Sequence, residues 1–240
     1  TDPKMIRYHL EKAFHLSTIG RPGPVLLDLP LDIQGAFVET DNLEGYIPNE
    51  TALIPVSSDL LKIVKILSNA KRPLILSGAG IRAAGAVDLF RQLVERMNIP
   101  VVTSQLGKDA LFYEHALFVG HSGPKGDRAG NFAVQTADVI LTLGCSLHSQ
   151  STGWENSLFA PDAVKIQVDI DEAVLAREQV NVDVKVKADV AQFMLSIEPL
   201  VGDGYANDNW RATCRSWKER FAVNLDLHDR SGEAVNYYDF

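Results

Sequence analysis

Apolar positions change their period several times along the chain. Between residues 3 and 17, Met5, Ile6, Leu10, Ala13, Phe14 and Leu16 fall at helical spacing, and Pro3 suits a first turn. Gly20-Arg21-Pro22-Gly23-Pro24 stops that helix. Val25-Leu26-Leu27-Asp28-Leu29 comes next as a short buried strand, closed by Pro30. Residues 35–56 show no period and contain Pro48, Asn49 and Pro55, which is the character of a linker. From Ser57 the pattern turns helical again. Leu60, Leu61, Ile63, Val64, Ile66 and Leu67 share a face, Lys62 and Lys65 point out, and Ser57 or Ser58 is the expected N-cap.

Beyond residue 70, short apolar runs alternate with helical stripes. Strands are predicted at 73–77, 100–104, 139–144, 164–169 and 184–186. Helices are predicted near 84–97, 129–136, 171–178 and 189–200, with a glycine-rich loop over 120–130. Strands that are apolar on both faces and alternate with helices define an α/β fold, a doubly wound parallel sheet flanked by helices. Such sheets bind ligands beyond the carboxyl ends of their strands, near the point where strand order reverses. The loops 78–83, 104–110, 120–127, 144–153 and 169–172 are therefore the candidate site.

Composition narrows the partners. The 240 residues are 46% hydrophobic and 22% charged, which fits a globular chain of one to two domains. The 23 Lys and Arg stand against 31 Asp and Glu, a net charge of −8 with no basic run, so nucleic acid and anionic membranes are not expected partners. No stretch approaches the roughly 18 apolar residues of a membrane span. Cys145 and Cys214 form no C-x-x-C pair, so neither a zinc ribbon nor a disulfide framework is expected, and a reduced, cytoplasmic setting is. The chain opens at Thr1 and stops at Tyr238-Asp239-Phe240 inside an aromatic run, so a piece of a larger protein is expected.

Gly78-Ala79-Gly80-Ile81-Arg82-Ala83 matches G-x-G-x-x-A between a strand and a helix. Glycines there let backbone approach a phosphate, and free N–H groups with the helix dipole favour an anion. A tight turn with no ligand is the other reading. A dinucleotide dehydrogenase also needs an acid about 20 residues on, at the end of the second strand. That strand ends in Thr103-Ser104-Gln105. Asp169 and Asp171 end a later strand, and could serve a ribose only if that strand lay beside the first; Asp171 reads more simply as a helix N-cap.

His121 and His148 stand in loops, without metal spacing or a nucleophile partner, and read as locally hydrogen-bonded. Trp154 reads as a packing residue and Cys145 as a small buried hydrophobe. Gly202-Asp203-Gly204, with Asn207 and Asn209 nearby, reads as a polar turn rather than a metal site. Trp210, Cys214, Trp217 and Phe221 form a core-facing helical stripe. No catalytic residue and no metal ligand is assigned.

The run from Gly20 to Gln34 resembles the end of the pyrimidine-binding domain of thiamine-diphosphate-dependent enzymes, in the acetohydroxyacid synthase and pyruvate decarboxylase group. The later segments resemble that family's central domain, in order: Pro73 to Gly80, Ile99 to Ser104, Gly120-His121-Ser122-Gly123, Ala137 to Gly144, and Ile166 to Asp171. Thr152-Gly153-Trp154-Glu155-Asn156 with Phe159-Ala160-Pro161 is most similar to acetolactate-synthase-like proteins. The resemblance implies four segments: 1–34 as the end of the pyrimidine domain, 35–56 as linker, 57–201 as central domain, and 202–240 as a connector to the diphosphate-binding domain.

The resemblance also implies a division of labour. Thiamine diphosphate and Mg2+ belong to the parent enzyme, with the activating glutamate upstream and the Gly-Asp-Gly metal motif downstream, so the chain alone is expected to be inactive and to bind neither. The parent would make or break a carbon–carbon bond in a 2-keto acid substrate, its other domains and a homo-oligomer being the chain's partners. The central domain holds FAD in some relatives, ADP in others and nothing in several. Carried over by motif, the adenine-nucleotide contacts would be Gly78, Gly80, Ser104, His121, Gly123, Gly144, Asp169, Ile170 and Asp189. Where flavin-binding members carry two arginines, this chain has Ser146 and Gln150, which counts against a bound flavin diphosphate. Two rivals stand beside this reading: an NAD-dependent enzyme with a sirtuin-like pocket, and a non-catalytic nucleotide-binding module.

Overall fold

The computed structural model describes residues 2–49 and 52–222. A parallel sheet forms its centre. Its strands are β1 (Pro73–Ser77), β2 (Val101–Thr103), β3 (Phe118–His121), β4 (Val139–Leu143), β5 (Val164–Asp169) and β6 (Val184–Lys187). The helices of four or more residues are α1 (Ile6–Thr18), α2 (Leu31–Gln34), α3 (Ser57–Asn69), α4 (Gly80–Ala83), α5 (Val87–Met97), α6 (Arg128–Thr136), α7 (Ser149–Thr152), α8 (Glu172–Leu175), α9 (Val190–Ile197) and α10 (Asp208–Arg220).

The strands lie in the order β3-β2-β1-β4-β5-β6, and every pairing is parallel. Strand order runs outward from β1 to β3, then jumps back to β4 on the other side. Right-handed crossovers in opposite directions put α5 and α6 on opposite faces. Helices α3 and α9 join the α5 face, while α10 packs on α6 and β3. Both faces are thereby covered. That is why β1, β2 and β4 are buried along their whole length, with Leu74, Ile75, Leu76, Val101, Val102, Ile140 and Leu141 fully inaccessible.

Two anchors hold the amino ends of β1 and β4 in register. The Asp138 carboxylate accepts the backbone N–H groups of Lys71 and Arg72, each at 2.8 Å. Trp210, on the predicted stripe of α10, donates its indole N–H to the Pro73 carbonyl at 2.8 Å. Trp210 and Cys214 are buried, so that stripe does face the core.

Several expectations need correction. Residues 25–29 form no strand, and they are not buried: Leu26 is 90% exposed. A lone extended segment has no neighbour to take its backbone hydrogen bonds, so apolar content alone does not make it a strand. Strand β3 is absent from the predicted strands, and its last two residues fall at the start of the predicted 120–130 loop; two apolar residues followed by Gly120-His121 carry too little pattern, and pairing with β2 makes the strand. The edge strand β6 alternates, with Lys185 and Lys187 outward, rather than being apolar on both faces. Helix α3 is preceded by Val56 with no side-chain cap, and Ser57 lies inside it. Trp154 is 81% exposed, on the surface turn after Gly153 at φ 87°, so it packs no core. The closing residues 223–240 of the expected connector lie outside the described residues.

Residues 2–49 contain no buried side chain, and the core begins only after them. Phe193→Ala, in a fully buried position on α9, is therefore expected to lower stability by about 3–5 kcal/mol. Leu26→Ser in the uncovered segment is expected to stay within about 0.5 kcal/mol. Urea unfolding of the two variants beside the wild type checks both values.

Candidate functional site

Each of the five predicted loops lies at the carboxyl edge of the sheet, after β1, β2, β3, β4 and β5 in turn. The switch point falls between β1 and β4, the position where such sheets open a crevice. Here that position is closed by backbone. Gly78 donates its N–H to the Leu143 carbonyl at 2.9 Å, and Gly80 donates to the Gly144 carbonyl at 2.9 Å. A Cβ at Gly78 would lie 2.1 Å from the Gly144 carbonyl oxygen, and one at Gly80 would lie 2.7 Å from the Gly144 Cα. Gly144 itself has φ 57°, which a side chain would strain.

The β3 end forms a second tight unit. Asp127 caps α6, accepting from the Gly130 N–H at 2.7 Å and the His121 N–H at 2.8 Å. A Cβ at Gly120 would meet that carboxylate at 2.1 Å. The Gly123 N–H goes to the Asn131 side-chain oxygen at 2.9 Å, and the Asn131 amide returns a bond to the Gly123 carbonyl. His121 Nδ1 and Thr103 Oγ1 share a hydrogen bond of 2.6 Å between neighbouring strands. Burial, then the charge of Lys108, holds the His121 pKa below its usual value, so the ring is neutral at neutral pH. His148 caps the short α7, accepting from Gln150, as a local hydrogen-bonding role predicts.

The acids at the end of β5 differ. Asp169 is 8% exposed, and burial pushes its carboxyl above the usual range, against the opposing pull of the Asp171 N–H bond and of Arg21. Asp171 caps α8 through the Ala173 N–H, as predicted, and pairs with Arg21 at 2.9 Å; that guanidinium holds its carboxyl below the usual range. Asp189 caps α9, accepting from Ala191 and Gln192, and its own N–H is held by the Leu53 carbonyl. β5 is separated from β1 by β4, so the condition under which Asp169 could serve a dinucleotide ribose is not met.

Cys145 is buried beside the Ser104 and Ser151 hydroxyls, and desolvation raises its thiol pKa, which fits a small inert hydrophobe. Three buried polar atoms at this edge have no partner among the described residues: Ser77 Oγ, Ser122 Oγ and Gln105 Oε1. Sequence reading passed over Ser77 and Gln105, since an orphaned hydroxyl is visible only once its neighbours are placed. Among the described residues no group of three or more His, Cys, Asp or Glu side chains could hold a metal. A cleft of about 610 Å3 lies at the opposite edge, walled by Lys71, Arg72, Asn209 and Trp217, and shares no residue with the five loops.

The family model described as the central domain of thiamine pyrophosphate enzymes matches residues 60–197. The chain belongs to this family. It is 32% identical over 238 residues to a probable acetolactate synthase large subunit of Methanococcus aeolicus, covering 95% of this chain and 38% of that protein. It is 34% identical over 209 residues to the corresponding protein of Methanocaldococcus jannaschii, covering 84% of this chain and 32% of that protein. The acetolactate synthase large subunit of Lactococcus lactis is 35% identical over 225 residues, covering 91% of this chain and 38% of its own length. The chain thus spans less than two-fifths of the length of these relatives.

The family implies thiamine diphosphate, with its magnesium, for the whole enzyme. No chemical step is assigned to these groups.

Asp169 supplies a test of the site's electrostatics. A folded carboxyl pKa above the unfolded value means that its contribution to stability is fully present below the unfolded pKa and is lost as pH rises through the folded pKa. Asp169→Asn, which keeps an acceptor for the Asp171 N–H, is therefore expected to match or exceed wild-type stability at pH 7. That advantage should disappear on acidification to about pH 3, below the ordinary Asp pKa. Thermal melts at both pH values check the sign.

Proposed function

We propose that this chain works as the central part of a thiamine-diphosphate-dependent enzyme acting on 2-keto acids, with acetolactate-synthase-like carbon–carbon bond formation or decarboxylation. The family match over 60–197 carries the reading, together with relatives named acetolactate synthase that extend far beyond the matched region. In this reading the chain's role is scaffolding. Its closed sheet spaces two catalytic domains, which supply the thiamine diphosphate and Mg2+ site. The parent is a cytoplasmic homo-oligomer.

The stretch over residues 2–49 buries no side chain, which supports reading it as separate from the central domain's core. Leu10, Phe14, Leu26, Leu31 and Phe37 are each about half to fully exposed. A run of exposed large apolar residues of this length is a surface made to be covered. The remainder of a pyrimidine-binding domain is its natural cover, with 35–56 as the linker and 57–201 as the central domain. Arg21, paired with Asp171, then ties the end of that domain to the carboxyl edge of the sheet.

Calorimetric titration tests the division of labour. The 240-residue chain is expected to give no heat with thiamine diphosphate and Mg2+, whereas a protein of the relatives' full length carrying this segment is expected to bind both and to turn over pyruvate. Micromolar binding by the chain alone, or a full-length protein that neither binds the cofactor nor acts on any 2-keto acid, would refute the proposal.

A further inference from the structure

We infer that the glycine-marked carboxyl edge is a packing seam, not a cradle for a diphosphate, and that this chain holds no flavin there. The inference rests on the reading of the chain as part of a thiamine-diphosphate-dependent enzyme and deepens it, because it names what the central domain of that enzyme does not bind. It stands on where the hydrogen-bond donors go. A backbone N–H is a single donor, and a phosphate held at a strand-to-helix turn needs several of them unspent.

All four glycines that the motifs mark for nucleotide contact have spent theirs inside the protein. Gly78 and Gly80 donate to Leu143 and Gly144, Gly123 donates to Asn131, and Gly144 donates to the Val168 carbonyl at 3.0 Å. Three more marked positions are committed in the same way. Ser104 donates to the Ser77 carbonyl at 2.8 Å, His121 to Asp127, and Asp189 to Leu53.

The space in front of the glycines is also taken. Glycine is needed next to a bound phosphate because the ligand sits where a Cβ would be. Here protein backbone sits there. A Cβ at Gly123 would lie 1.9 Å from the Gln150 carbonyl oxygen, and one at Gly107, in the neighbouring loop, 2.9 Å from the Ser77 carbonyl oxygen. The same relation holds between Gly78, Gly80 and Gly144. The loops therefore meet backbone to backbone, and their glycines are explained without a ligand.

Charge points the same way. Helix α4 has only four residues, too few to present a macrodipole of any reach. Ser146 and Gln150 bring no cation, Arg82 is paired with Asp109 at 2.6 Å and Arg21 with Asp171 at 2.9 Å, and against the Lys108 charge near His121 stand the carboxylates of Asp127 and Asp169. The unpartnered hydroxyls of Ser77 and Ser122 can meet a neutral polar group, but they offer no charge to a diphosphate.

Thermal melts of the purified chain with FAD, ADP or no addition test the inference, beside melts of Gly80→Ala and Gly202→Ala. The wild-type Tm is expected not to move with either nucleotide at about 1 mM, a concentration that would reveal any Kd of roughly 10 μM or tighter. The visible spectrum is expected to show no flavin band. Gly80→Ala is expected to lose several degrees of Tm, equally with and without nucleotide, while Gly202→Ala, whose Cβ would enter open space, keeps its Tm. A nucleotide-dependent rise in Tm, or a yellow protein, would overturn the inference. So would a Gly80→Ala chain that melts like the wild type. If Gly80→Ala does not fold, the wild-type melts and spectrum decide. Nucleotide binding by the chain would leave the thiamine reading standing, since that reading fails only in the full-length protein.

Discussion

The contact between β1 and β4 governs the rest of the molecule. These two strands meet where the strand order reverses, and they run in register from Pro73 opposite Val139 to Ser77 opposite Leu143. At the amino end the Asp138 carboxylate grips the chain just before β1. At the carboxyl end the turns at Gly78–Gly80 and Gly144 close on one another through main-chain hydrogen bonds. A slip by one residue would invert every side chain on a strand buried on both faces, and it would also break both clamps. The helices of the two faces, and the loops that gather at the carboxyl edge, take their places from this pair.

A tight seam at the switch point has a functional consequence. In an open sheet of this kind the crevice at the reversal of strand order is where a ligand enters, and its free amides make it receptive to anions. When those amides are turned on the neighbouring strand, the same geometry gives rigidity instead. In the proposed role as a spacer between two catalytic domains, rigidity is what would be required, because a displacement of about 1 Å in a shared active site is costly to rate. Among the described residues none before Pro55 is buried, which is consistent with that role: the N-terminal stretch adds nothing to this core and leaves its apolar side chains for another surface.

Much of this was legible in the residue pattern. The alternation of apolar runs and helical stripes after residue 70 predicted a doubly wound parallel sheet, and all five candidate loops fell at one edge of it. Asp171 as a cap and the Trp210 stripe were also readable, because both are local patterns. The failures share a cause. Val25 to Leu29 has a strand's composition, but a strand exists only beside another. Phe118 to His121 has too little pattern of its own and is a strand because β2 lies next to it. Trp154 is apolar in type but sits on an outward turn. At the glycines the motif left a ligand cradle and a tight turn both open, because a motif records which residues lack a side chain, and not what occupies the space in front of them.

Amide hydrogen exchange tests the central claim most directly, because it asks whether those N–H groups are committed. The account predicts that the Gly78, Gly80 and Gly144 amides are protected to the same degree as the interior of β1 and β4, opening only with the whole domain. Fast exchange at these three glycines, with the strands beside them still protected, would show an open turn with donors to spare and would contradict the account.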